Sequence, residues 1–398
     1  MLCRDAPDHH PTQVSGTFSP VRKKVLDRGF VVVDKIVNNL ADNCGLPGRI
    51  ARLSRSRKLL QCRGQIVCQG RCDVETNEEI AMAPKFKILL YESMHARGTE
   101  VLAEKCELVY ATSLDEKNLI AQAADVDGII IRANGAVTRA LIESAPRLKV
   151  IGRHGVGLDA IDLRCAKERG VKVVFTPTAN TESVAEHFVG MAIMLAKMIR
   201  TGDIALRTGD WAARNRLIGT ELHGKALGVL GFGRIGRQTA RICRNGFAMN
   251  VIYYDVCDYP AVEKELQAKR VSGEEVFEQS DFISVNLPLL PSTRHFVNAK
   301  LIRLMKPTAF LINMARGPVW NEEDVAGALR EKRIAGVGSD VYEVEPVPAD
   351  HPLLKMDNFV GTPHMSAHSE EAMIRMSLVA SDVVAVLEGR EPEYPVTV

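Results

Sequence analysis

A glycine-rich segment in the middle of the chain restricts the possible folds more than any other feature of the sequence. The segment is Gly231-Phe-Gly-Arg-Ile-Gly236, which follows the apolar run 225–230 and precedes a helical pattern over 237–246. A second apolar run, 250–255, ends in an acid 19 residues after the last glycine. A strand, three spaced glycines, a helix and a strand ending in an acid together predict a dinucleotide-binding βαβ unit.

Each glycine has its own physical role in that prediction. Gly231 allows the tight turn, Gly233 lets the backbone approach a pyrophosphate, and Gly236 lets the helix pack closely against the strand. The helix N-terminus offers free N–H groups to the phosphates. Asp255 would accept hydrogen bonds from the ribose hydroxyls and repel a 2′-phosphate, and neither of the next two residues is a cation. We therefore expect NAD rather than NADP.

The first 81 residues differ in charge from the rest of the chain. Up to Cys72 there are 13 lysines and arginines against 5 acidic residues, whereas the whole chain has a net charge of only +2. Leaders rich in arginine and serine can direct proteins to organelles, but Asp5 and Asp8 and the lack of a clear amphipathic helix argue against this. We expect residues 1–81 to be a basic, disordered extension, with the folded part starting near Met82.

Composition sets further expectations about location and partners. Nine cysteines are scattered without a CxxC pair, which favours a reducing compartment, and we expect the cytoplasm and no metal site. No run approaches the roughly 18 apolar residues of a membrane span. The basic run at 49–58 lacks interleaved aromatic residues, so we expect no nucleic-acid partner.

Residues 84–182 show apolar strand patterns that alternate with helical patterns, which predicts a parallel sheet wound on both faces. In such sheets, ligands lie beyond the carboxyl ends of the strands. Arg132 follows one predicted strand; Arg153 follows another and leads into a glycine-rich loop, in which the amides of Val156 and Gly157 can hold an anion. These four residues are candidate ligands for a substrate with one or two negative groups, although either arginine could equally form a surface ion pair.

A long helix is predicted to begin within 180–186. Ser183 and Glu186 have the spacing of a capping box, which predicts that the serine caps the helix. Apolar residues occupy almost every side of the segment 184–199. A helix with this pattern should be buried, and we expect it to lie between two domains.

Three successive predicted strands in the later part of the chain end near side chains that can carry out chemistry, namely Arg316, Glu345 and His364. A histidine is suited to donate a proton near neutral pH, and a neighbouring carboxylate would hold its ring in one orientation. An arginine can bind a carboxylate through two parallel hydrogen bonds. The three residues predict reduction of a 2-oxo acid at C2 by NADH, whereas His154 is expected to be a loop residue rather than a catalyst.

Several segments, in this order, resemble the D-isomer-specific 2-hydroxyacid dehydrogenase family. They are GRHGVGLDAID, NTESVAEH, GVLGFGRIG, LINMARGPV, DVYEVEP and TPHMSAH, and the similarity covers residues 84 to about 395. The resemblance implies that Arg316, Glu345 and His364 are catalytic. It also implies cofactor contacts beyond the three glycines, at Arg234, Ile235, Asp255, Leu287, Pro288, Thr293, Met314, Ala315 and Asp340.

The resemblance also implies an architecture of two doubly wound α/β domains. A Rossmann NAD-binding domain, residues 183–365, would be inserted into a flavodoxin-like substrate-binding domain formed by 84–182 and 366–398. Members of the family are usually homodimers joined through the cofactor domains, and they close a cleft around the substrate. Two departures from the family pattern, Trp320-Asn321 and the Met-Ser-Ala-His segment at 365–368, are expected to alter the substrate pocket or the cofactor rim.

The choice of substrate depends on weaker similarities. Arg132 and Arg153 resemble the positions that hold the phosphate in the phosphoglycerate dehydrogenases of the family, which favours 3-phosphoglycerate, followed by glyoxylate or hydroxypyruvate. A different class of function remains open, because the family includes transcriptional corepressors of the C-terminal binding protein type. In these the fold serves as an NAD-dependent assembly switch, and the three catalytic positions do not separate them from enzymes.

Overall fold

The computed structural model describes residues 85–397, so the predicted extension at 1–81 lies outside the described residues. The first part of the described chain forms a five-stranded parallel sheet with the strand order β2-β1-β3-β4-β5. Its strands are β1 Phe86–Leu90, β2 Cys106–Tyr110, β3 Gly128–Ile131, β4 Val150–Arg153 and β5 Lys172–Phe175. The connecting helices are α1 Ala96–Ala103, α2 Glu116–Ala123, α3 Arg139–Ser144 and α4 Leu163–Glu168. This strand order is that of flavodoxin-like folds.

A second, seven-stranded parallel sheet follows, with the order β12-β11-β10-β9-β6-β7-β8. Its strands are β6 Ala226–Leu230, β7 Asn250–Tyr254, β8 Lys269–Arg270, β9 Phe282–Val285, β10 Phe310–Asn313, β11 Gly336–Ser339 and β12 Phe359–Gly361. The order reverses between β6 and β9, as in the Rossmann fold, where the cofactor lies across that point.

Seven described helices surround the second sheet, and all except Ile199–Arg207 bury apolar residues against its faces. They are α5 Thr181–Ala196, α6 Ile199–Arg207, α7 Arg234–Phe247, α8 Pro260–Leu266, α9 Gly273–Gln279, α10 Ala299–Ile302 and α11 Glu322–Arg330. Short 3-10 helices cover Trp211–Asn215, Gly317–Val319 and Pro352–Lys355. None of the helices within residues 85–397 is long and apolar enough to span a membrane.

The chain returns to the first sheet at its end, through α12 Glu370–Ser377 and α13 Val379–Leu387. Val379 and Val383 share a core cluster with Ile130 and Val150 of that sheet. A Cβ atom at Gly152 would lie 2.7 Å from Val383 Cγ2, so the glycine allows this close contact. The predicted fold class, with one parallel-sheet unit inserted into another, is therefore confirmed, while the domain boundaries themselves stay a prediction.

The predicted capping box at the start of α5 is wrong. The helix is capped at Asn180 without a side-chain hydrogen bond. Ser183 is already the third helical residue, and its hydroxyl donates to the carbonyl of Ser366 at 2.6 Å. The helix is also not buried on every side, because Glu182 and Glu186 are exposed.

Trp320 and Asn321, the first departure from the family pattern, do not reach the substrate pocket. Trp320 is fully buried in the core of the second sheet. The side chain of Asn321 caps α11 by accepting from the N–H groups of Glu323 and Asp324, each at 3.1 Å. Both residues therefore serve the packing and termination of local elements.

Candidate active site

The glycine loop between β6 and α7 has the geometry of a phosphate cradle. Gly231 has φ +87°, and a Cβ atom there would lie 2.8 Å from the carbonyl oxygen of Asn286. A Cβ atom at Gly236 would lie 2.2 Å from the carbonyl oxygen of Gly231, so only glycine lets the helix approach the turn this closely. Around Gly233 there is open space, and α7 begins there without a side-chain cap. Free N–H groups beside open space fit the pyrophosphate of NAD.

Asp255 stands at the end of β7, directly beside this loop. Its carboxylate accepts from the N–H of Phe232 at 2.6 Å and from the N–H of Cys257 at 2.9 Å. The sequence prediction missed Arg270, whose guanidinium donates to the backbone carbonyl of Asp255 at 2.8 Å and pairs with Asp258. Arg270 comes close because β8 pairs with β7 in parallel, opposite Tyr253. In the sequence, the position of Arg270 near Asp255 could have been predicted only by recognising residues 269–270 as a strand that pairs with β7.

The loops after β9 and β10 form the next part of the cofactor rim. Thr293 donates through its hydroxyl to the carbonyl of Pro288 at 2.5 Å, which closes the loop that starts at Leu287. Met314 and Ala315 are buried at the turn after β10, and Asn313 Oδ1 accepts from the N–H of Ala315 at 2.9 Å. These residues line the carboxyl edge of the sheet, where a cofactor-contact role remains a prediction.

Asn286 was also missed by the sequence prediction. Its Oδ1 atom is buried and has no hydrogen-bond partner among the described residues, while its amide donates to Ser284 Oγ at 2.8 Å. The residue directly precedes Leu287 at the end of β9, beside Gly231. A buried acceptor without a partner at this position is a further candidate cofactor contact.

His364 and Glu345 form a hydrogen-bonded pair. The distance between His364 Nδ1 and Glu345 Oε2 is 2.8 Å, and Glu345 Oε1 accepts from the N–H of Tyr342 at 2.9 Å. Partial burial on its own would raise the pKa of the Glu345 carboxyl, but the hydrogen bonds from His364 and Tyr342 outweigh it and lower the pKa. The carboxylate therefore accepts from Nδ1 and leaves Nε2 of the ring directed away from the pair.

Asp340 holds the loop that carries His364. This residue is fully buried; its Oδ1 accepts from the hydroxyl of Thr362 at 2.6 Å and the N–H of Met365 at 2.8 Å, and its Oδ2 accepts from the N–H of Ser366 at 2.9 Å. The backbone N–H of His364 donates to the carbonyl of Asp340 at 2.8 Å, which supports the left-handed conformation of His364 at φ +49°. The predicted cofactor contact of Asp340 stays a prediction, whereas its contacts to the loop are direct.

Arg316 reaches from the second sheet to the loop after β4 of the first. Its Nε atom donates to Asp159 Oδ2 at 2.9 Å, and Nη2 lies 2.8 Å from the same oxygen. The guanidinium lies against Gly157, where a Cβ atom would be 1.8 Å from Nη2. The N–H groups of Val156 and Gly157 make no hydrogen bond within the described part of the chain. The guanidinium of Arg316 therefore lies close to two backbone N–H groups that are free to bind an anion.

The two arginines predicted to hold the substrate differ in their surroundings. Arg132 donates to the carbonyl of Ser93 at 3.1 Å and lies 3.6 Å from Met373 Sδ, so most of its donors have no partner among the described residues. Arg153 donates through Nε to the carbonyl of Gly157 at 2.5 Å. Burial and the nearby charge of Arg316 lower the pKa of Arg153 to about 10.

His154 is not an ordinary loop residue. Its side chain is buried, with 2% exposed, and neither ring nitrogen has a hydrogen-bond partner among the described residues. Burial and the charges of Arg132 and Arg153 lower the pKa of the imidazole to about 4. The ring is therefore neutral near pH 7. Within residues 85–397, no group of three His, Cys, Asp or Glu residues could hold a metal ion.

The chain is similar to known proteins over most of the described residues. Residues 189–366 match the model of the D-isomer specific 2-hydroxyacid dehydrogenase NAD-binding domain. The chain is 40% identical over 309 residues to D-3-phosphoglycerate dehydrogenase of Methanocaldococcus jannaschii, covering 77% of this chain and 58% of that protein. It therefore spans little more than half the length of that relative.

Two further comparisons cover nearly whole proteins. Glyoxylate reductase of Thermofilum pendens is 38% identical over 304 residues, which covers 74% of this chain and 89% of the relative. The crystal structure of a glyoxylate reductase from Paecilomyes thermophila superposes with a TM-score of 0.71 at 31% identity, covering 79% of this chain and 99% of that one. The chain belongs to the D-isomer-specific 2-hydroxyacid dehydrogenase family.

Proposed function

We propose that the chain interconverts a D-2-hydroxy acid and its 2-oxo acid at Arg316, Glu345 and His364. The observation that carries this proposal is the His364–Glu345 pair at 2.8 Å, located after β11 and β12 on the same edge as the glycine loop. A histidine oriented by a carboxylate beside a dinucleotide cradle is the arrangement that proton transfer during carbonyl reduction requires.

Each residue has a separate role in this reaction. Bound NADH supplies the hydride that reduces C2 of the 2-oxo acid. His364 donates a proton from Nε2 to the C2 oxygen, and Glu345 holds the ring in one orientation through Nδ1. Arg316 and the free N–H groups of Val156 and Gly157 hold the substrate carboxylate.

The preferred substrate in this proposal has an anionic group on C3, with 3-phosphoglycerate and its 2-oxo form as the first choice. Arg132 supports this choice, because among residues 85–397 its guanidinium donates only to Ser93 and Met373 and can still bind a phosphate. Similarity to an archaeal D-3-phosphoglycerate dehydrogenase adds support.

Glyoxylate and hydroxypyruvate form the second choice. Arg153, expected to be the second phosphate ligand, donates to the carbonyl of Gly157 at 2.5 Å and has a lowered pKa. One free arginine instead of two favours a substrate with a smaller charge. Similarity to a glyoxylate reductase supports the same choice.

A steady-state screen separates these possibilities. The chain is assayed with 3-phosphohydroxypyruvate, hydroxypyruvate and glyoxylate, each with NADH and with NADPH, alongside the Arg132→Gln variant. If phosphate is recognised, Arg132→Gln raises KM for the phosphorylated acid and leaves KM for glyoxylate unchanged. Equal effects on both acids would contradict the phosphate assignment. Lack of turnover with every acid and both cofactors would favour the corepressor alternative, which none of the relatives described above supports.

We also propose that the protein is a homodimer joined near α6. Trp211 is 70% exposed and Ile218 is 83% exposed in the segment after α6, and Ile204 and Leu206 of α6 itself are also exposed. Next to this segment is a cavity of about 620 Å³, with Leu217 and Phe310 in its lining. Exposed apolar residues next to a cavity that is lined partly by apolar side chains suit a second copy of the chain.

Light scattering on the full chain and on Trp211→Asp tests the dimer. We expect the wild-type protein to have twice the mass of the chain and the variant to dissociate at micromolar concentration. A monomeric wild-type protein would contradict the proposal.

The cytoplasmic location is likewise proposed from the sequence, and fractionation of cells that express the chain from Met1 or from Met82 tests it.

A further inference from the structure

Asp159 belongs to the GRHGVGLDAID segment and has no role in the reaction proposed above. It lies in the loop after β4, and its Oδ2 atom accepts from Nε of Arg316 at 2.9 Å and lies 2.8 Å from Nη2. The two residues are 157 positions apart in the chain and follow strands of different sheets. This ion pair therefore joins the substrate side of the site to the cofactor side.

The way in which Asp159 binds leaves part of Arg316 free. Nε and one N–H of Nη2 are used by Asp159, and one N–H of Nη1 donates to the carbonyl of Ala315 at 2.8 Å. One N–H on each terminal nitrogen of Arg316 remains without a partner among the described residues. Two parallel donors at the end of a guanidinium match the two oxygens of a carboxylate.

The surroundings of the pair restrict its position further. Gly157 lies against Nη2 of Arg316, and its carbonyl accepts from Nε of Arg153 at 2.5 Å. Two guanidinium groups thus flank one glycine, and the nearby charge of Arg316 contributes to the lowered pKa of Arg153. Asp159 supplies a negative charge beside both groups, and without it the Arg153 guanidinium would repel Arg316 from its position over Gly157.

We infer that Asp159 is the positioning residue of Arg316 for the reaction proposed above. It holds the guanidinium over Gly157, so that the free end of Arg316 and the N–H groups of Val156 and Gly157 converge on one carboxylate. Asp159 follows a strand of the first sheet and Arg316 follows a strand of the second. All of these donors therefore reach the substrate carboxylate only when Asp159 and Arg316 are in contact. The inference deepens the proposed function and depends on the role of Arg316 within it.

The test compares Asp159→Ala, Asp159→Asn and Asp159→Glu with the wild-type protein, using the 2-oxo acid turned over best. Asp125→Ala serves as the matched control, because Asp125 binds Lys87 at 2.6 Å and precedes β3, at the opposite end of the same sheet. We expect Asp159→Ala to lower kcat/KM by about 10-fold to 100-fold through loss of alignment. Asp159→Asn keeps the acceptor oxygen, and Asp159→Glu keeps the charge, so each should retain part of the activity.

A double-variant comparison and two binding measurements exclude a purely structural role. In an Arg316→Gln background, Asp159→Ala should cost no more than about twofold, because the interaction it supports is already gone. The Kd of NADH, from fluorescence, should stay unchanged. Oxalate, a carboxylate ligand that is not turned over, should bind the NADH complex about 10-fold more weakly after Asp159→Ala.

Three results would overturn the inference. The first is an unchanged or improved kcat/KM in Asp159→Ala, which would mean that Asp159 competes with the substrate for Arg316. The second is that Asp159→Ala lowers kcat/KM as much in the Arg316→Gln background as in the wild-type protein. The third is a comparable decrease in kcat/KM in Asp125→Ala. If no 2-oxo acid is turned over but oxalate binding still depends on Asp159, the proposed reaction fails while the positioning role stands. If no 2-oxo acid is turned over and the wild-type complex also does not bind oxalate, both are refuted.

Discussion

Burial of His154 should make the folded protein sensitive to mild acid. The ring has a pKa of about 4 in the folded state, lowered from 6.5 by burial and by the charge of Arg132. Below pH 6.5 the unfolded chain binds a proton at this histidine that the folded chain does not bind, so stability falls as pH decreases and the loss ends near pH 4. Above pH 6.5 the group has no effect on stability.

The size of the effect follows from the two pKa values. Between pH 7 and pH 5, this one histidine should lower the free energy of unfolding by about 2 kcal/mol. His154→Leu removes the titrating group and fills a similar volume, so the variant should not show this part of the pH dependence. Because neither ring nitrogen has a hydrogen-bond partner among the described residues, the substitution breaks no visible hydrogen bond.

Urea unfolding at pH 7 and pH 5 measures the difference. For each protein, the decrease in the free energy of unfolding from pH 7 to pH 5 is determined. The decrease for His154→Leu is then subtracted from the decrease for the wild-type protein, so that the contributions of the other titrating groups cancel. His223→Leu, at an exposed histidine, controls for the change of residue type. If wild-type protein and His154→Leu lose the same free energy between the two pH values, the ring is not held neutral by burial and the reasoning fails.

Three further predictions concern the cofactor and catalytic positions. His364→Ala should lower kcat by at least about 100-fold with an unchanged Kd for NADH, and a parallel loss of NADH binding would instead indicate a folding role. Asp255→Ala should reduce the preference for NADH over NADPH in kcat/KM, since Arg270 is next to the vacated position; an unaltered ratio would place the ribose contact elsewhere. Gly236→Val should unfold the protein or lower its Tm by several degrees, because the Cβ atom of the valine would lie 2.2 Å from the carbonyl oxygen of Gly231. A melting curve like that of the wild-type protein would show that α7 can shift at little cost in stability.

The fold could be predicted largely because its signals are local. Apolar runs alternating with helical patterns marked most of the strands, and the glycine spacing placed the turn after β6. The first sheet has the flavodoxin-like order and the second the Rossmann order, in agreement with the predicted fold class. Ser183 shows the limit of local signals, since its spacing to Glu186 indicated a cap while its hydroxyl binds Ser366, 183 residues away.

The sequence by itself determined the class of cofactor, the class of fold and the candidate residues Arg316, Glu345 and His364, because each follows from spacing within a short segment or from a strand end. Only the tertiary structure decided which atoms meet at the site. The neutral ring of His154, the proximity of Arg270 to Asp255 and the hold of Asp159 on Arg316 all depend on segments far apart in the chain. Burial and charge around a side chain come from those distant neighbours, and no local pattern of residues encodes them.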